Sequence, residues 1–104
     1  MRRALVNTKW IENARARFIA VYGEKRGAAV CNVVVPAVMG DFRKTVLAAE
    51  RGTTVTEQYR TDDKKTGVTV TGYAEEREGR PVCVITRIEI GGTPIDLGAA
   101  ELVL

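Results

Sequence analysis

The chain has no histidine, so it lacks the side chain that most often transfers protons near neutral pH. Its two cysteines, Cys31 and Cys83, are too far apart to form the closely spaced ligand pairs of a zinc site. No phosphate-binding loop and no GxSxG or GxGxxG motif occurs. We therefore expect no metal, no cofactor and no catalytic residues, and we favour a protein that is not an enzyme.

Long apolar runs are also missing. The opening MRRALVNTKW has the basic start of an export signal, but its apolar run stops at Asn7, short of the roughly 7 to 15 residues that such a signal needs. No stretch approaches the roughly 20 apolar residues of a membrane-spanning helix. These features predict a cytoplasmic protein with no membrane partner.

Cysteine is scarce, which leaves two interpretations. Cys31 and Cys83 both fall in segments that we predict to be strands, so the first interpretation is a disulfide between neighbouring strands. We favour the other, in which both thiols stay reduced and serve as small apolar residues.

The composition is that of an ordinary globular domain. The 104 residues are 45% hydrophobic and 28% charged, which predicts a single soluble domain over 1–104 with one core. The net charge is +3, and 13 acidic residues are interspersed among 16 basic ones. Because no tract of one sign forms, we favour solvated surface charges over a polyanion site.

The clearest periodic signal runs from Gly67 to Ile90. Two stretches of period-two alternation flank the charged turn EEREGRP, which predicts an antiparallel hairpin with one apolar face. The predicted inward residues are Val68, Val70, Gly72, Ala74, Val82, Val84, Thr86, Ile88 and Ile90. The predicted outward residues are Thr69, Thr71, Tyr73, Glu75, Cys83, Ile85, Arg87 and Glu89.

Helical spacing appears in two places. An apolar stripe from Trp10 to Tyr22 predicts a helix that starts near Thr8 and ends at Gly23. A second stripe, Val38, Phe42, Val46 and Ala49, predicts a helix that opens near Pro36 and closes at Gly52. The rival interpretation makes 15–22 a strand that turns at GEKRG into the next segment.

The remaining segments have the composition of strands. The valine-rich run 28–35 predicts a strand that is covered on both faces, and 53–60 predicts a strand with Val55 and Tyr59 inward. The lead 2–6 is a candidate edge strand, and the tail is expected to turn at GGTP and dock its apolar end on the sheet or on a second copy. The fold class is therefore α+β: two helices on one face of a four- to five-stranded, mainly antiparallel sheet with a C-terminal meander.

This architecture leaves one sheet face uncovered, and that face is our candidate interaction surface. Ile85 and Tyr73 would form an apolar centre inside a polar rim. The competing interpretation is a solvated threonine ladder in which Arg87 pairs with Glu75 across the strands. The candidate interaction residues are Thr54, Thr56, Arg60, Thr69, Thr71, Tyr73, Ile85 and Arg87.

Three functions fit this surface. We favour an interaction module that joins a second copy, as a homodimer, or another protein through the exposed face or an edge strand. In the second hypothesis the face binds nucleic acid, with tyrosines that stack on bases and basic side chains that follow the phosphates. The residues concerned are Tyr59, Tyr73, Arg60, Arg87, Arg15, Arg17, Lys25 and Arg26. In the third, a pocket between helices and sheet binds a small ligand, or tyrosine and carboxylate side chains inside a cupped sheet form an enzyme site.

Overall fold

The computed structural model describes the backbone of residues 2–62, 64–95 and 100–103, and the side chains of residues 9–62 and 64–95. Within these residues the helices come first and the strands follow, as the α+β prediction requires. The elements are α1 (Arg2–Tyr22), α2 (Glu24–Ala37), the π-helical segment Val38–Phe42, α3 (Arg43–Ala48), β1 (Val55–Arg60), β2 (Gly67–Arg77), β3 (Arg80–Ile90), β4 (Thr93–Ile95) and β5 (Ala100–Val103).

Helix α1 buries one apolar stripe. Trp10, Ala14 and Phe18 lie four residues apart and are all buried, which confirms the predicted helix and rules out the strand over 15–22. The helix begins at Arg2, so the prediction of an edge strand over 2–6 was wrong. Gly23 ends it with φ at 89°, a conformation that glycine adopts without steric cost.

Helix α2 contains the valine-rich run that we predicted to be a strand, and that prediction was wrong. Its buried residues recur at helical spacing, while Asn32 lies on the exposed side. The buried set is Gly27, Val30, Cys31, Val34 and Ala37. Packing of this stripe against α1 and the sheet outweighs the weak preference of valine for strands.

A glycine allows α2 to approach α1 closely. A Cβ atom on Gly27 would lie 2.6 Å from the Cα atom of Ile19, well inside van der Waals contact. The two backbones therefore meet here with no room for a side chain, and this contact sets how the helices pack.

Helical structure then continues through Pro36 into the π-helical segment and α3. Proline lacks the N–H that an α-helix needs at this position, and a change of helical hydrogen bonding often follows such a break. Val38, Phe42 and Val46 are fully buried, which confirms three of the four residues of the predicted second stripe. The helix starts earlier than predicted and ends at Ala48, so Ala49 lies beyond it with extended backbone and the predicted end at Gly52 was wrong. Gly52, with φ at 85°, turns the chain toward β1.

The sheet is antiparallel throughout the described residues. Its strand order is β1-β2-β3-β4, and β5 also pairs with β3. The predicted meander is therefore confirmed, and the tail docks on the protein's own sheet through β5.

Both helical stretches pack on one face of this sheet. Phe18 from α1, Val34 from α2 and Phe42 from the π-helical segment join Val70 and Ile88 from the sheet in one core cluster. Burial of each such side chain contributes about 1.5–3 kcal/mol to stability. The core face of the sheet is therefore covered by the helices, and none of the described helices covers the opposite face, which is called the outer face below.

Candidate interaction surface

The outer face carries most of the residues that the sequence placed there. Side chains alternate between the two faces along each strand. Val55 and Tyr59 pack against the core, and Val68, Val70 and Ala74 are buried in it, so their sequence neighbours lie on the outer face. Thr54 is exposed just before β1. The predicted residues on the outer face are Thr56, Arg60, Thr69, Thr71, Tyr73 and Arg87.

Ile85 is the exception, and its predicted exposure was wrong. It is 8% exposed, belongs to the core cluster and lies opposite Gly72, a buried residue of β2. Cys83, also predicted outward, is fully buried. Val84 lies between them and opposite Tyr73, which places it on the outer face, not inward as predicted.

A β-bulge in β3 causes this reversal. Thr71 lies opposite Arg87, but the next residue, Gly72, lies opposite Ile85, so Thr86 is an extra residue in β3. The alternation is therefore shifted by one position between the two halves of β3. Ile88 and Ile90, beyond the bulge, are buried as predicted.

Gly72 permits the close backbone approach beside the bulge. A Cβ atom there would lie 2.4 Å from the carbonyl oxygen of Val84 and 3.2 Å from the Phe42 ring. The sequence prediction needed a polar Thr86 inside and an apolar Ile85 outside. A polar residue on the core face beside an apolar residue on the outer face is the sign of a bulge that the sequence itself contains. A bulge at Thr86 reverses the faces of the residues before it and so places Val84 on the surface.

The centre of the outer face is the pair of half-buried side chains Tyr73 and Val84, directly opposite each other on β2 and β3. Threonines lie beside it. The hydroxyls of Thr56 and Thr71 are 3.2 Å apart, and the Thr86 hydroxyl donates to the Thr71 carbonyl oxygen at 3.2 Å. These bonds hold the threonine side chains in place, so the face is an ordered surface with an apolar centre.

Charges on the outer face are paired along β2 and β3, while Arg60 on β1 donates to the Lys64 carbonyl oxygen at 3.3 Å. Arg87 contacts Glu89 at 2.9 Å, and Arg77 contacts Glu75. The predicted pair between Arg87 and Glu75 does not form, because the bulge and the register place Glu75 opposite Val82 instead. Arg77 and Arg87 are thus each matched by a carboxylate two residues away, and neither sign dominates this part of the face.

Tyr59 lies on the other side of the sheet. Its hydroxyl donates to Oδ2 of Asp41 in the π-helical segment at 2.7 Å. Burial and the neighbouring carboxylate both raise the pKa of the Tyr59 hydroxyl. Of the two tyrosines in the nucleic-acid hypothesis, only Tyr73 is therefore on the outer face.

The two thiols are free and buried. Burial raises the pKa of Cys31, against a smaller opposing effect of Arg15, and raises the pKa of Cys83 to about 11. Both thiols therefore stay protonated at neutral pH and are poor nucleophiles. Among the described residues no group of three metal-binding side chains occurs.

Two open depressions lie near the end of the sheet. One, of about 560 Å³, is bordered by Tyr59, Arg60 and the Gly91–Gly92 turn. The other, of about 370 Å³, lies between α2 and the β1–β2 loop and is bordered by Arg26 and Lys65. Neither is an enclosed pocket between helices and sheet of the kind that the ligand hypothesis requires.

Comparison with known proteins gives no relative: no family model, no curated protein and no solved structure matches the chain. None of the helices in the described part of the chain combines the length and apolarity needed to cross a membrane. Any statement of function must therefore rest on the surface itself.

Proposed function

We propose that the protein is a non-catalytic interaction module that self-associates through its sheet. The observation that carries this proposal is the one-sided packing: the described helices all cover the same sheet face, and β1 forms an edge with no further strand beside it in the described residues. Unpaired edges and ordered, uncovered faces are the usual docking surfaces of antiparallel sheets.

The size of the outer face supports this proposal. Strands β2 and β3 have 11 residues each, β1 has six, β4 has three and β5 has four. At roughly 3.3 Å per residue and roughly 4.8 Å between strands, these strands cover roughly 550 Å². Standard interfaces bury roughly 800 Å² on each partner, and weaker, transient ones bury less than roughly 600 Å². The face therefore has the area of a small, transient protein interface.

The chemistry of the face also favours a protein. Tyr73 and Val84 supply an apolar centre, and the Arg87–Glu89 pair leaves little net charge at the rim. A nucleic-acid surface needs several aromatic side chains and unopposed cations, so this surface supports that hypothesis less well.

Solution mass tests the proposal. We expect light scattering coupled to size exclusion to give a dimer whose fraction rises between about 10 and about 100 μM. The same runs with a short single-stranded oligonucleotide, at low and moderate salt, separate the alternatives. A monomer at both concentrations refutes self-association, and a monomer that gains mass with the oligonucleotide and loses it as salt rises supports the nucleic-acid hypothesis.

A further inference from the structure

The two edges of the sheet are built differently. At one edge β1 runs without interruption over six residues, with no proline and no bulge. In the described residues the opposite edge consists of β4, which contains Pro94, and β5. Proline has no N–H to offer and discourages pairing with another chain, so β1 is the edge better suited to receive one.

The hydrogen-bond pattern shows which groups of β1 face outward. Thr61 N–H donates to the Thr66 carbonyl at 3.0 Å, and Gly67 uses its own carbonyl toward β3, accepting from Gly91. Bonded and non-bonded pairs alternate along an antiparallel ladder. The N–H and C=O groups of Thr56, Gln58 and Arg60 therefore point away from β2, toward the open edge.

The charge pattern of β1 selects one register for a second copy. With the twofold axis at Gln58, Thr56 faces the second copy's Arg60, and all three outward residues find partners, giving six hydrogen bonds. An axis at Glu57 would set two carboxylates opposite each other. An axis at Thr56 would leave both Gln58 and Arg60 without a strand partner, and an axis at Tyr59 would leave Thr56 without one.

We propose that two copies join edge to edge through antiparallel β1 strands, with Gln58 on the twofold axis. This inference rests on the proposed self-association and names where it occurs. Because the axis of such a pair is normal to the sheet, both outer faces lie on the same side of one continuous ten-stranded sheet. Two copies of the Tyr73–Val84 centre are then presented together, which favours a partner with two matching sites.

Cross-linking tests the position of the axis. In a bonded antiparallel pair the facing Cα atoms are about 5.5 Å apart, within the range of about 4.4–6.8 Å that a disulfide spans. We expect Gln58→Cys to form a covalent dimer under mild oxidation. The matched control is Thr69→Cys, which lies opposite Gln58 on β2 and on the same face. It would be roughly 14 Å from its counterpart across the axis, so we expect no cross-link. Equal cross-linking of both variants overturns the inference.

Charge substitution gives an independent test. Gln58→Lys and Gln58→Glu each place like charges on the axis, and we expect each to weaken dimerisation about tenfold. Mixing the two variants should restore a heterodimer of wild-type affinity, whereas Gln58→Ala, which keeps the backbone donor, should change little. Because Gln58 is exposed, we expect each variant to fold, and circular dichroism checks this.

The outcomes separate the two proposals. If the wild type stays monomeric, both fail. If the wild type dimerises but Gln58→Lys and Gln58→Glu each dimerise equally well, the edge inference fails and self-association through another surface stands.

Discussion

Exchanging Ile85 or Val84 for lysine tests the bulge in β3 directly, because the two residues are adjacent but lie on opposite faces of the sheet. Ile85 is 8% exposed, lies opposite Gly72 and belongs to a core cluster of apolar residues. This cluster offers no carboxylate to an ammonium group. Ile85→Lys therefore removes an apolar side chain from the core and buries an unpaired charge.

The expected loss of stability in Ile85→Lys is large. Burial of the isoleucine side chain contributes about 1.5–3 kcal/mol, and the unpaired charge raises the total to about 4 kcal/mol or more. Domains of this kind are stable by only about 5–15 kcal/mol, so Ile85→Lys should be largely unfolded or barely stable. Val84→Lys should cost less than about 1 kcal/mol, because its ammonium group reaches solvent while its stem lies along Tyr73.

Urea unfolding measures both variants. The single tryptophan, Trp10, is 6% exposed in the core and reports loss of packing by its fluorescence, with far-ultraviolet circular dichroism as a second probe. A stable, cooperative Ile85→Lys variant together with an unfolded Val84→Lys variant would show that β3 alternates without a bulge. The outer-face assignment would then have to be abandoned.

Three further predictions concern packing and protonation. Gly27→Ala should lower the stability by about 2 kcal/mol or more, because its Cβ atom would lie 2.6 Å from the α1 backbone. Gly40→Ala should raise the stability by up to about 1 kcal/mol, because its Cβ atom would have nothing within 4 Å. Thermal melts compare the two, and equal effects would contradict the close helix approach. Tyr59→Phe should lose about 1 kcal/mol with its 2.7 Å bond to Asp41, and ultraviolet titration should lose the tyrosine that ionises last. Burial raises the pKa of the Cys83 thiol from 9.0 to about 11. Between these pH values the thiol keeps its proton in the folded protein but loses it in the unfolded chain, so the free energy of unfolding should fall by at most about 3 kcal/mol between pH 9 and 11. Cys83→Ala should flatten that slope in urea midpoints, and an unchanged slope would refute the assignment.

The sequence predicts the fold class, helix α1 and strand β2 because each has a long, unbroken period. In α1 the stripe from Trp10 to Phe18 has only helical spacing, and in β2 every second residue from Val68 to Ala74 is buried. The valine run of α2 is different. Nearly every side chain there is apolar, so helical and strand spacing fit equally well, and only the partners reveal which residues are buried.

The candidate surface was predictable as far as the period of the strands extended. Thr69, Thr71 and Tyr73 follow from the alternation of β2 alone. Ile85 was placed on the wrong face because the prediction assumed unbroken alternation, and one extra residue reverses every assignment on its side of β3. The contact between Tyr59 and Asp41 depends on the π-helical segment, and no local pattern in the sequence specifies that turn.

The bulge at Thr86 affects the two sides of β3 in different ways. On the side away from β2, the described pairs join Val82–Ile85 to β5 and Ile88–Ile90 to β4. Strand β2 pairs with both halves of β3 and accommodates the register shift at Gly72, where a glycine permits the close approach. On its other side β2 pairs with β1 in a ladder that is regular over all six residues. The inserted residue therefore places Val84 on the outer face and buries Ile85, while β1 keeps the regular edge that the proposed dimer contact uses.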